Sequence, residues 1–425
     1  MGVAGAVMTL VGFVIGISIF ILPGTLAATA APAVVVSYAL AAIMALFSCI
    51  VAAQIGSVFP VSGASFVAVS RVLSPLWGFV TVWLIFGGAS VAIALLAYGF
   101  ADYFILLVPE VDRFVAALGL VLVLGGLNLL GIKKTVTVQA LMVILFMLAL
   151  VVFIVAGLTQ LDADLLSPFM ANGITPVLAA VVPAYFSFAG FNLIIEIGGE
   201  IKHPQSAIPR ALAISFLTVL IVYMAVSLVI VGLIPWTDLG DLGAPVGEAA
   251  KIVLPEWIAK AISMTILAAA ATSINAMLLG YSRDVLALAR FGILPPSFGK
   301  ISAKHGEPVY GVVSMVVLAV IAVISGASIT QYATVVVFGV LLVQIALGLA
   351  AIKLPQKVSS EFAQSQFQLS RGSLAFFSMG LILLSAALLI LAIVTSPGAS
   401  TIAGLYLLAG FGCYYARRQT LCAIH

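Results

Sequence analysis

Long apolar stretches separated by short polar segments recur from one end of this 425-residue chain to the other. Stretches of about 20 apolar residues are long enough to cross a bilayer as α-helices. Hydrophobic residues make up 64% of the chain and charged residues 7%, too little charge to cover the surface of a soluble domain. The pattern predicts an all-α polytopic membrane protein with about twelve spans: Val3–Ala28, Ala33–Val58, Leu73–Val108, Phe114–Leu130, Val136–Leu158, Pro176–Ile197, Leu212–Ile234, Ile258–Leu288, Tyr310–Ile324, Tyr332–Ile352, Leu374–Val394 and Ile402–Tyr415.

The basic residues test this count of spans. If the N-terminus is cytoplasmic and the spans alternate, only Arg113, Lys251 and Lys260 of the 17 Lys and Arg residues fall in outer loops. This is the distribution of the positive-inside rule. It predicts a multi-pass protein of the cell membrane with both termini in the cytoplasm. The net charge of +3 then reflects topology and not a nucleic-acid-binding surface.

Several chemistries find no support in the sequence. The cysteines form no CxxC pair, and the three histidines lie in loops or at the terminus, so no ligand cluster indicates an intramembrane metalloenzyme. A GxxxxGK[ST] loop for ATP-driven transport is also absent from the sequence. The first span ends in an Ala-Thr-Ala that resembles a signal cleavage site, but no base precedes it, and we expect it to be retained.

Glycine and serine interrupt two apolar stretches at corresponding places in the chain. The first interrupted segment is Gly12–Phe20, and the second is Ser187–Asn192, followed by Gly198-Gly199-Glu200. Interrupted hydrophobic segments at matching positions of two halves indicate a transporter binding site. An unwound turn exposes backbone N–H and C=O groups that lipid cannot satisfy, so we expect both segments to line a cavity and bind a ligand.

The two interruptions also predict an internal repeat. Each one opens a set of five spans, residues 3–158 and residues 176–352, within a single membrane domain that covers 1–425. Because five is an odd number, the second set must cross the membrane in the opposite sense to the first. Such a five-plus-five inverted repeat supports alternating access about a site at mid-membrane. Residues 374–417 then form two accessory helices.

The ends of the two interrupted helices carry opposite partial charges. A half-helix that starts near Ile17 presents free N–H groups, which favour a carboxylate. A half-helix that ends near Ser187 presents free carbonyls, which suit an ammonium group. Together they describe a site for an amino-acid zwitterion, and the residues that we expect around it are Ile15, Gly16, Ile17, Ser18, Phe186, Ser187, Phe188, Ala189, Gly190, Phe191 and Asn192.

Each of these features also has a simpler interpretation. Gly12-x-x-x-Gly16 is a common helix-packing pattern in membranes, although Ser18 and Pro23 favour an unwound turn. The phenylalanines in and next to the second segment, Phe186, Phe188 and Phe191, are as well suited to ordinary helix packing as to closing a pocket.

Seven short runs carry a resemblance to a known family: Gly16–Phe20, Pro60–Ser65, Phe188–Asn192, Gly199–Arg210, Ser273–Asn275, Ser282–Asp284 and Arg290–Pro295. They are similar to the first helix, the second loop, and the sixth and eighth helices with their following loops in the amino acid–polyamine–organocation (APC) superfamily. The resemblance implies a LeuT-type fold, secondary transport and a substrate held between the first and sixth helices.

Three places depart from the pattern of that superfamily. The first helix has Gly16, Ile17 and Ser18 where the usual order is glycine, a small residue and glycine. Asn192 stands where many members have an acid, and Phe146 stands where proton-coupled members of one branch have a lysine. A buried acid or lysine can couple transport to protons, so these departures weaken the simplest proton mechanism.

The eighth span contains candidate ligands for a coupling ion. Ala269, Thr272 and Ser273 stand at i, i+3 and i+4 on one helical face. With the carbonyls of Gly12 and Ile15 they would supply five oxygen donors for Na⁺, a spacing that resembles the sodium site of sodium-coupled proteins with the LeuT-type fold. The alternative is that both hydroxyls bond to their own helix. We expect no cofactor apart from Na⁺ as a candidate coupling ion.

Glu196 is the only acid that we place clearly within a span, near the inner end of the sixth. An intramembrane carboxylate is a candidate functional group by default. Two roles remain open for it: a gate or structural pair with a base such as Lys202, or a carrier of protons or cations.

The sequence thus predicts a secondary active transporter of amino acids, with a neutral and apolar or small substrate favoured. The partners are a small-molecule substrate and the lipid bilayer. One alternative is a polyamine or organic-cation transporter that uses Glu196, and others are proton-coupled or exchange-type permeases. A channel would need a filter or charged ring, and an enzyme would need a nucleophile–base or metal cluster within the spans; the sequence offers none of these.

Overall fold

The structure is a computed structural model that describes residues 1–130, 135–290, 294–302 and 307–421. Within helices it leaves out the side chains of residues 135–140, 287, 290 and 417–421. Three of the basic residues that the charge distribution assigns to inner loops lie outside the described residues: Lys133, Lys134 and Lys304. Residues 291–293, part of the Arg290–Pro295 run that resembles the APC superfamily, also lie outside them. The described residues form α-helices, short 3₁₀ turns and one isolated β-bridge, without a β-strand among them.

In chain order the α-helices are α1 (Val3–Ile15), α2 (Ser18–Ala30), α3 (Val34–Val58), α4 (Ala64–Val72), α5 (Pro75–Phe104), α6 (Arg113–Leu129), α7 (Thr135–Thr159), α8 (Ile174–Phe186), α9 (Leu193–Glu196), α10 (Pro204–Leu233), α11 (Pro245–Val253), α12 (Glu256–Arg290), α13 (Val309–Ser325), α14 (Ile329–Lys357), α15 (Ser359–Gln364), α16 (Arg371–Thr395) and α17 (Pro397–Leu421). Two of the 3₁₀ turns, Ala189–Asn192 and Gly198–Glu200, flank α9.

Nine helical stretches in the described parts of the chain are long and apolar enough to cross a membrane. The first of them, Val3–Val58, has 56 residues and contains α1, α2 and α3, which is enough for two crossings. Arg113–Leu129 and Val309–Ser325 are shorter apolar helices. Counting two crossings in the first stretch and one in each shorter helix gives the twelve spans expected from the sequence. The prediction of an all-α polytopic membrane protein is confirmed.

Short polar residues set where several helices begin. The carboxylate of Asp112 accepts hydrogen bonds from the amides of Phe114 and Val115, at 2.9 and 3.1 Å, and so caps α6. Ser328 and Gln331 exchange side-chain and backbone hydrogen bonds in a capping box at the start of α14. Caps of this kind satisfy amides that have no partner within their own helix.

Two sets of helices repeat each other's contacts: where two helices pack together, their counterparts in the other set also pack together. The first set is α1 with α2, α3, α5, α6 and α7, and the second is α8 with α9, α10, α12, α13 and α14. α3 packs on α8 as α10 packs on α1, and α5 packs on α14 as α12 packs on α7. The counterparts α3 and α10, α5 and α12, and α6 and α13 pack on each other. This pairing supports the inverted repeat, whose boundaries stay a prediction.

One end of the bundle, the N-terminal face, is fastened by backbone hydrogen bonds between distant segments. The amide of Lys202 donates to the carbonyl of Met1 at 2.8 Å. The amide of Gly63 donates to the carbonyl of Glu196 at 3.0 Å. The start of α1, the loop before α4 and the end of α9 therefore lie together at this face.

Polar side chains inside the bundle bond from helix to helix. The Asn128 side chain on α6 donates to the Asn275 side chain on α12 at 2.8 Å. The Gln344 side chain on α14 donates to the Ser48 hydroxyl on α3 at 2.7 Å. Such bonds hold membrane helices together where apolar contacts alone give little specificity.

We expect Gly125→Ala to lower the melting temperature and Gly126→Ala to maintain or raise it. A Cβ on Gly125 would lie 2.6 Å from a methyl group of Val316 on α13, whereas nothing lies within 4 Å of a Cβ on Gly126. Overpacking costs about 1–3 kcal/mol, and replacing an unhindered helical glycine gains about 0.5–1 kcal/mol. Melting in detergent, followed by size-exclusion chromatography, measures both variants. Equal midpoints would contradict the close packing of α6 on α13.

Candidate functional site

The first span is broken at Gly16, as the sequence predicted. α1 ends at Ile15, Gly16 has a φ of +42°, and α2 begins at Ser18. A Cβ on Gly16 would lie 2.9 Å from the hydroxyl oxygen of Ser273, so both the backbone conformation and the close approach of α12 require glycine. No side chain caps the start of α2, which leaves its first amides without intrahelical partners.

Two hydroxyl groups satisfy the carbonyl that α1 presents at the break. The Ser18 hydroxyl donates to the Ile15 carbonyl at 3.0 Å. The Tyr223 hydroxyl, from α10, lies 2.6 Å from the Ser18 hydroxyl and 3.4 Å from the same carbonyl. The protein thereby supplies its own donors to a backbone group that lipid would leave unpaired.

The sixth span is also broken where the sequence predicted. α8 ends at Phe186, a 3₁₀ turn covers Ala189–Asn192, and α9 is only four residues long. A Cβ on Gly190 would lie 2.8 Å from the ring of Phe13 and 3.0 Å from Val14, both on α1. Glycine at this position therefore lets the two breaks approach each other.

A cavity of about 90 Å³ lies between the two breaks and helices α5, α12 and α14. A buried water needs roughly 10–15 Å³ by the same measure, so the cavity has room for a small molecule. Apolar side chains such as Leu96 and Val340 form most of its wall. The polar groups that line it belong to Ser18, Asn192, Glu196 and Tyr281, together with the backbone of the breaks.

The predicted site residues divide into two groups. Those that line the cavity are Gly16, Ser18, Phe186, Ala189, Gly190, Asn192 and Glu196. Those that belong to the broken segments but lie off the lining are Ile15, Ile17, Ser187, Phe188 and Phe191. The structure thus brings both breaks to one cavity, and the substrate-binding roles of their residues stay a prediction.

Two of the three phenylalanines considered for closing the pocket pack elsewhere. Phe188 is 2% exposed and lies in an aromatic cluster with Tyr38 and Tyr223, whose rings stack with centroids 5.3 Å apart. Phe191 packs against Phe216 at 6.0 Å. The cluster stands behind the breaks and joins α3 and α10 to them. Sequence reasoning missed both tyrosines, because isolated tyrosines in separate spans carry no local signal.

The end of the cavity away from the N-terminal face is closed. The Tyr103 hydroxyl on α5 donates to the Phe20 carbonyl on α2 at 2.8 Å and accepts from the Gly247 amide on α11 at 3.2 Å. Pro245 of α11 packs directly against Gly24 of α2. These contacts join α2, α5 and α11 into one closed layer, the Tyr103 plug.

The candidate sodium ligands have unequal surroundings. The Ser273 hydroxyl is buried, faces Gly16 and has no hydrogen-bond partner among the described residues. The Thr272 hydroxyl donates to the Ala269 carbonyl at 3.0 Å, which is the alternative considered from the sequence. The Gly12 carbonyl accepts from the Gly16 amide at 3.2 Å. Of the two hydroxyls, only that of Ser273 is directed at the break.

Glu196 lies at the end of the cavity nearest the N-terminal face. Its Oε1 is buried and has no hydrogen-bond partner in the described part of the chain. The ion pairs found there join other acids, and Lys202 is exposed. Tyr281 and Asp284, one turn apart on α12, both interact electrostatically with Glu196. Sequence reasoning did not single out Asp284 as an acid within a span.

We expect Tyr223→Phe to lower the melting temperature more than Tyr38→Phe. The first change removes a hydroxyl that contacts Ser18 and the Ile15 carbonyl, and a buried hydrogen bond contributes about 0.5–1.5 kcal/mol. The Tyr38 hydroxyl has no hydrogen-bond partner among the described residues, so its loss leaves the break intact. Thermal unfolding of both variants in one detergent measures the difference, and the reverse order would contradict this role for Tyr223.

Comparisons with known proteins agree with this architecture. The family model described as "Amino acid permease" matches residues 5–406. The chain is 28% identical to the branched-chain amino acid permease BcaP of Bacillus subtilis, over 70% of this chain and 68% of that protein. It is 28% identical to BcaP of Lactococcus lactis, over 73% and 72%. It is 27% identical to the methylthioribose transporter of Bacillus subtilis, over 70% and 68%.

These relatives are transporters and not enzymes, and the match runs through both breaks and the helices around the cavity. The chain therefore belongs to the amino acid permease family, within the APC superfamily, and is a multi-pass membrane transporter of amino acids.

Proposed function

We propose that this chain is a secondary active transporter that moves neutral branched-chain amino acids across the cell membrane by alternating access. The observation that carries the proposal is the meeting of two broken helices at one small cavity with a largely apolar wall. Helix ends of opposite polarity suit the carboxylate and the ammonium group of the substrate. The apolar wall suits its side chain, and two of the similar proteins are named branched-chain amino acid permeases.

The first half of the proposed mechanism is recognition by backbone groups. The uncapped start of α2 would receive the substrate carboxylate, and the end of α8 would receive its ammonium group. Leu96 and Val340 belong to the wall that would contact an aliphatic side chain. The backbone groups would bind the carboxylate and ammonium group that all amino acids share, so the apolar wall would select among substrate side chains. Changes in the volume of the wall residues should therefore alter which amino acids are transported.

The second half of the mechanism is a change in which end of the cavity is open. The structure has the Tyr103 plug in place at one end, while the cavity reaches toward Glu196 and the N-terminal face at the other. With both termini in the cytoplasm, as the charge distribution predicts, this state faces the cytoplasm. Movement of α1, α2, α3, α8, α9 and α10 against the remaining helices would open the plugged end.

We expect proteoliposomes loaded with unlabelled leucine to exchange it for external labelled leucine, and valine and isoleucine to compete. Gly88→Leu should abolish exchange, because Gly88 lines the cavity and the nearest atoms to its Cβ, those of Val336, lie 3.8–3.9 Å away. Gly119→Leu is the matched control on α6, with nothing within 4 Å. Normal exchange by Gly88→Leu would place the substrate outside this cavity.

A polyamine or another organic cation is the second candidate substrate. Glu196 favours it, because this carboxylate lines the cavity, makes none of the ion pairs found among the described residues, and has an Oε1 without a hydrogen-bond partner there. The same exchange assay separates the candidates: inhibition by amines that lack a carboxylate, without inhibition by valine, would support the cation. Inhibition by methylthioribose alone would point instead to a substrate like that in the name of one similar protein.

We propose Na⁺ as the coupling ion, held by Ser273 with the carbonyls of Gly12, Ile15 and Ala269 and the hydroxyl of Thr272. The unpartnered Ser273 hydroxyl beside the first break supports this site. For Na⁺ to bind there, the Thr272 hydroxyl must turn away from the Ala269 carbonyl, and Ser18 and Tyr223 must share the Ile15 carbonyl with the ion. Binding of Na⁺ would thereby couple α12 to the first break.

We expect the double variant Thr272→Ala with Ser273→Ala to lose Na⁺-driven accumulation by roughly tenfold or more, a loss of about 1.4 kcal/mol in coupling. Ser263→Ala is the control, because that buried serine on α12 bonds to the Ala259 carbonyl of its own helix. Accumulation is measured with an imposed Na⁺ gradient and, separately, with an imposed pH gradient. Unchanged Na⁺ dependence in the double variant, or accumulation driven only by protons, would exclude this site.

A further inference from the structure

A second and larger cavity, the lateral cavity, lies on the side of the bundle between α5, α14 and α17. Its volume is about 430 Å³, compared with about 90 Å³ for the central cavity. Apolar side chains from all three helices line it, among them Val80, Leu349 and Leu407. The cavity opens at the side of the bundle, where Trp77 and Leu349 are exposed, and an exposed apolar surface of this kind marks a site for an apolar molecule.

Aromatic contacts between α5 and α17 hold one side of the lateral cavity together. Trp83 stacks on Tyr406 with ring centroids 5.0 Å apart, the Trp83 indole donates to the Tyr406 carbonyl at 2.9 Å, and the Tyr406 hydroxyl donates to the Trp83 carbonyl at 3.0 Å. Closer to the N-terminal face, Trp77 meets Phe411 edge-on at 6.3 Å. These contacts fix α17 on α5, so the cavity does not close simply by α17 moving inward.

The polar groups of the lateral cavity are confined to one end. Lys353, which is exposed, and Ser74 line it near the end of α14 and the start of α5. This end belongs to the N-terminal face, because Arg71 lies on α4, which starts beside Gly63 of that face, and pairs with Glu361, just after α14, at 3.0 Å. Trp77, which is 46% exposed, stands at the same level, where tryptophan is typical of a membrane–water boundary.

We propose that the lateral cavity binds an anionic phospholipid, with an acyl chain between α5, α14 and α17 and the phosphate beside Lys353. The long apolar wall with a single cation at its polar end matches the shape and charge of such a lipid. Lys353 makes none of the ion pairs found among the described residues, so its charge remains available to a phosphate. The charge distribution predicts a cytoplasmic N-terminal face, and the cytoplasmic leaflet is the anionic one.

The lipid would lie directly against the wall of the central cavity. Leu84 on α5 and Val343 on α14 line both cavities, so two side chains form a partition between them. Val343 is 2% exposed and Leu84 is 4% exposed, which leaves them little room to move independently of their neighbours. An acyl chain in the lateral cavity would therefore support the partition from behind, and its loss would let the central cavity change shape.

Native mass spectrometry of the purified full chain tests this proposal directly. The protein is exchanged into detergent that contains equal amounts of phosphatidylglycerol and phosphatidylcholine with the same acyl chains. We expect one retained lipid per protein and a preference for phosphatidylglycerol. Lys353→Gln should reduce that preference about fivefold, the effect of removing one basic residue at an anionic surface. Lys357→Gln is the control, because Lys357 is exposed on the same helix but does not line the cavity.

A variant that fills the lateral cavity separates the acyl-chain site from the headgroup site. Ala346→Trp should abolish retention of both lipids, because Ala346 lines only this cavity. If that variant fails to fold, Leu349→Trp, at a lining position that is 41% exposed, replaces it. Equal retention of the two lipids by the unmodified protein, or an unchanged preference in Lys353→Gln, would overturn the proposal. A lipid-free dimer would also overturn it, since a second copy would then cover the cavity.

Discussion

Backbone groups cannot remain unpaired within a bilayer, and the rest of this structure depends on how two broken helices meet that constraint. At the first break, Gly16 adopts a left-handed φ, and Ser18 and Tyr223 satisfy the Ile15 carbonyl. At the second, Gly190 lets the turn pack against α1. The first amides of α2 have no intrahelical partners, and the breaks line one cavity. A ligand with complementary charged ends is a natural partner for such a site.

The fold and the two breaks were largely predictable from the sequence, because their causes are local. Apolar stretches of span length follow from composition alone, and the twelve expected spans agree with the helices of the described residues. α1 ends just before Gly16 and α8 ends just before Ser187, both at the segments that glycine and serine interrupt in the sequence. α2 begins at Ser18, one residue beyond the start expected near Ile17. Capping residues such as Asp112 and Ser328 explain other boundaries in the same local way.

The surroundings of the breaks were not predictable, because they depend on contacts between distant residues. Tyr223 reaches Ser18 across 205 positions of sequence, and its stacking with Tyr38 draws Phe188 out of the cavity. The charge of Asp284 acts on that of Glu196 only because the tertiary fold brings α12 near this end of the cavity. The partition between the two cavities has the same origin, since it forms where α5 and α14 pack together. A single sequence, read by itself, carries no signal for such contacts.

The measurement that tests the central claim most directly is competition for labelled leucine binding by two analogues, each lacking one charged end. Leucinamide has no carboxylate, and 4-methylpentanoate has no ammonium group. If the two breaks bind the substrate through backbone groups of opposite polarity, neither analogue should compete at concentrations where leucine saturates the site. Competition by leucinamide equal to that of leucine would contradict the account, because recognition would then rest on the ammonium group and the side chain.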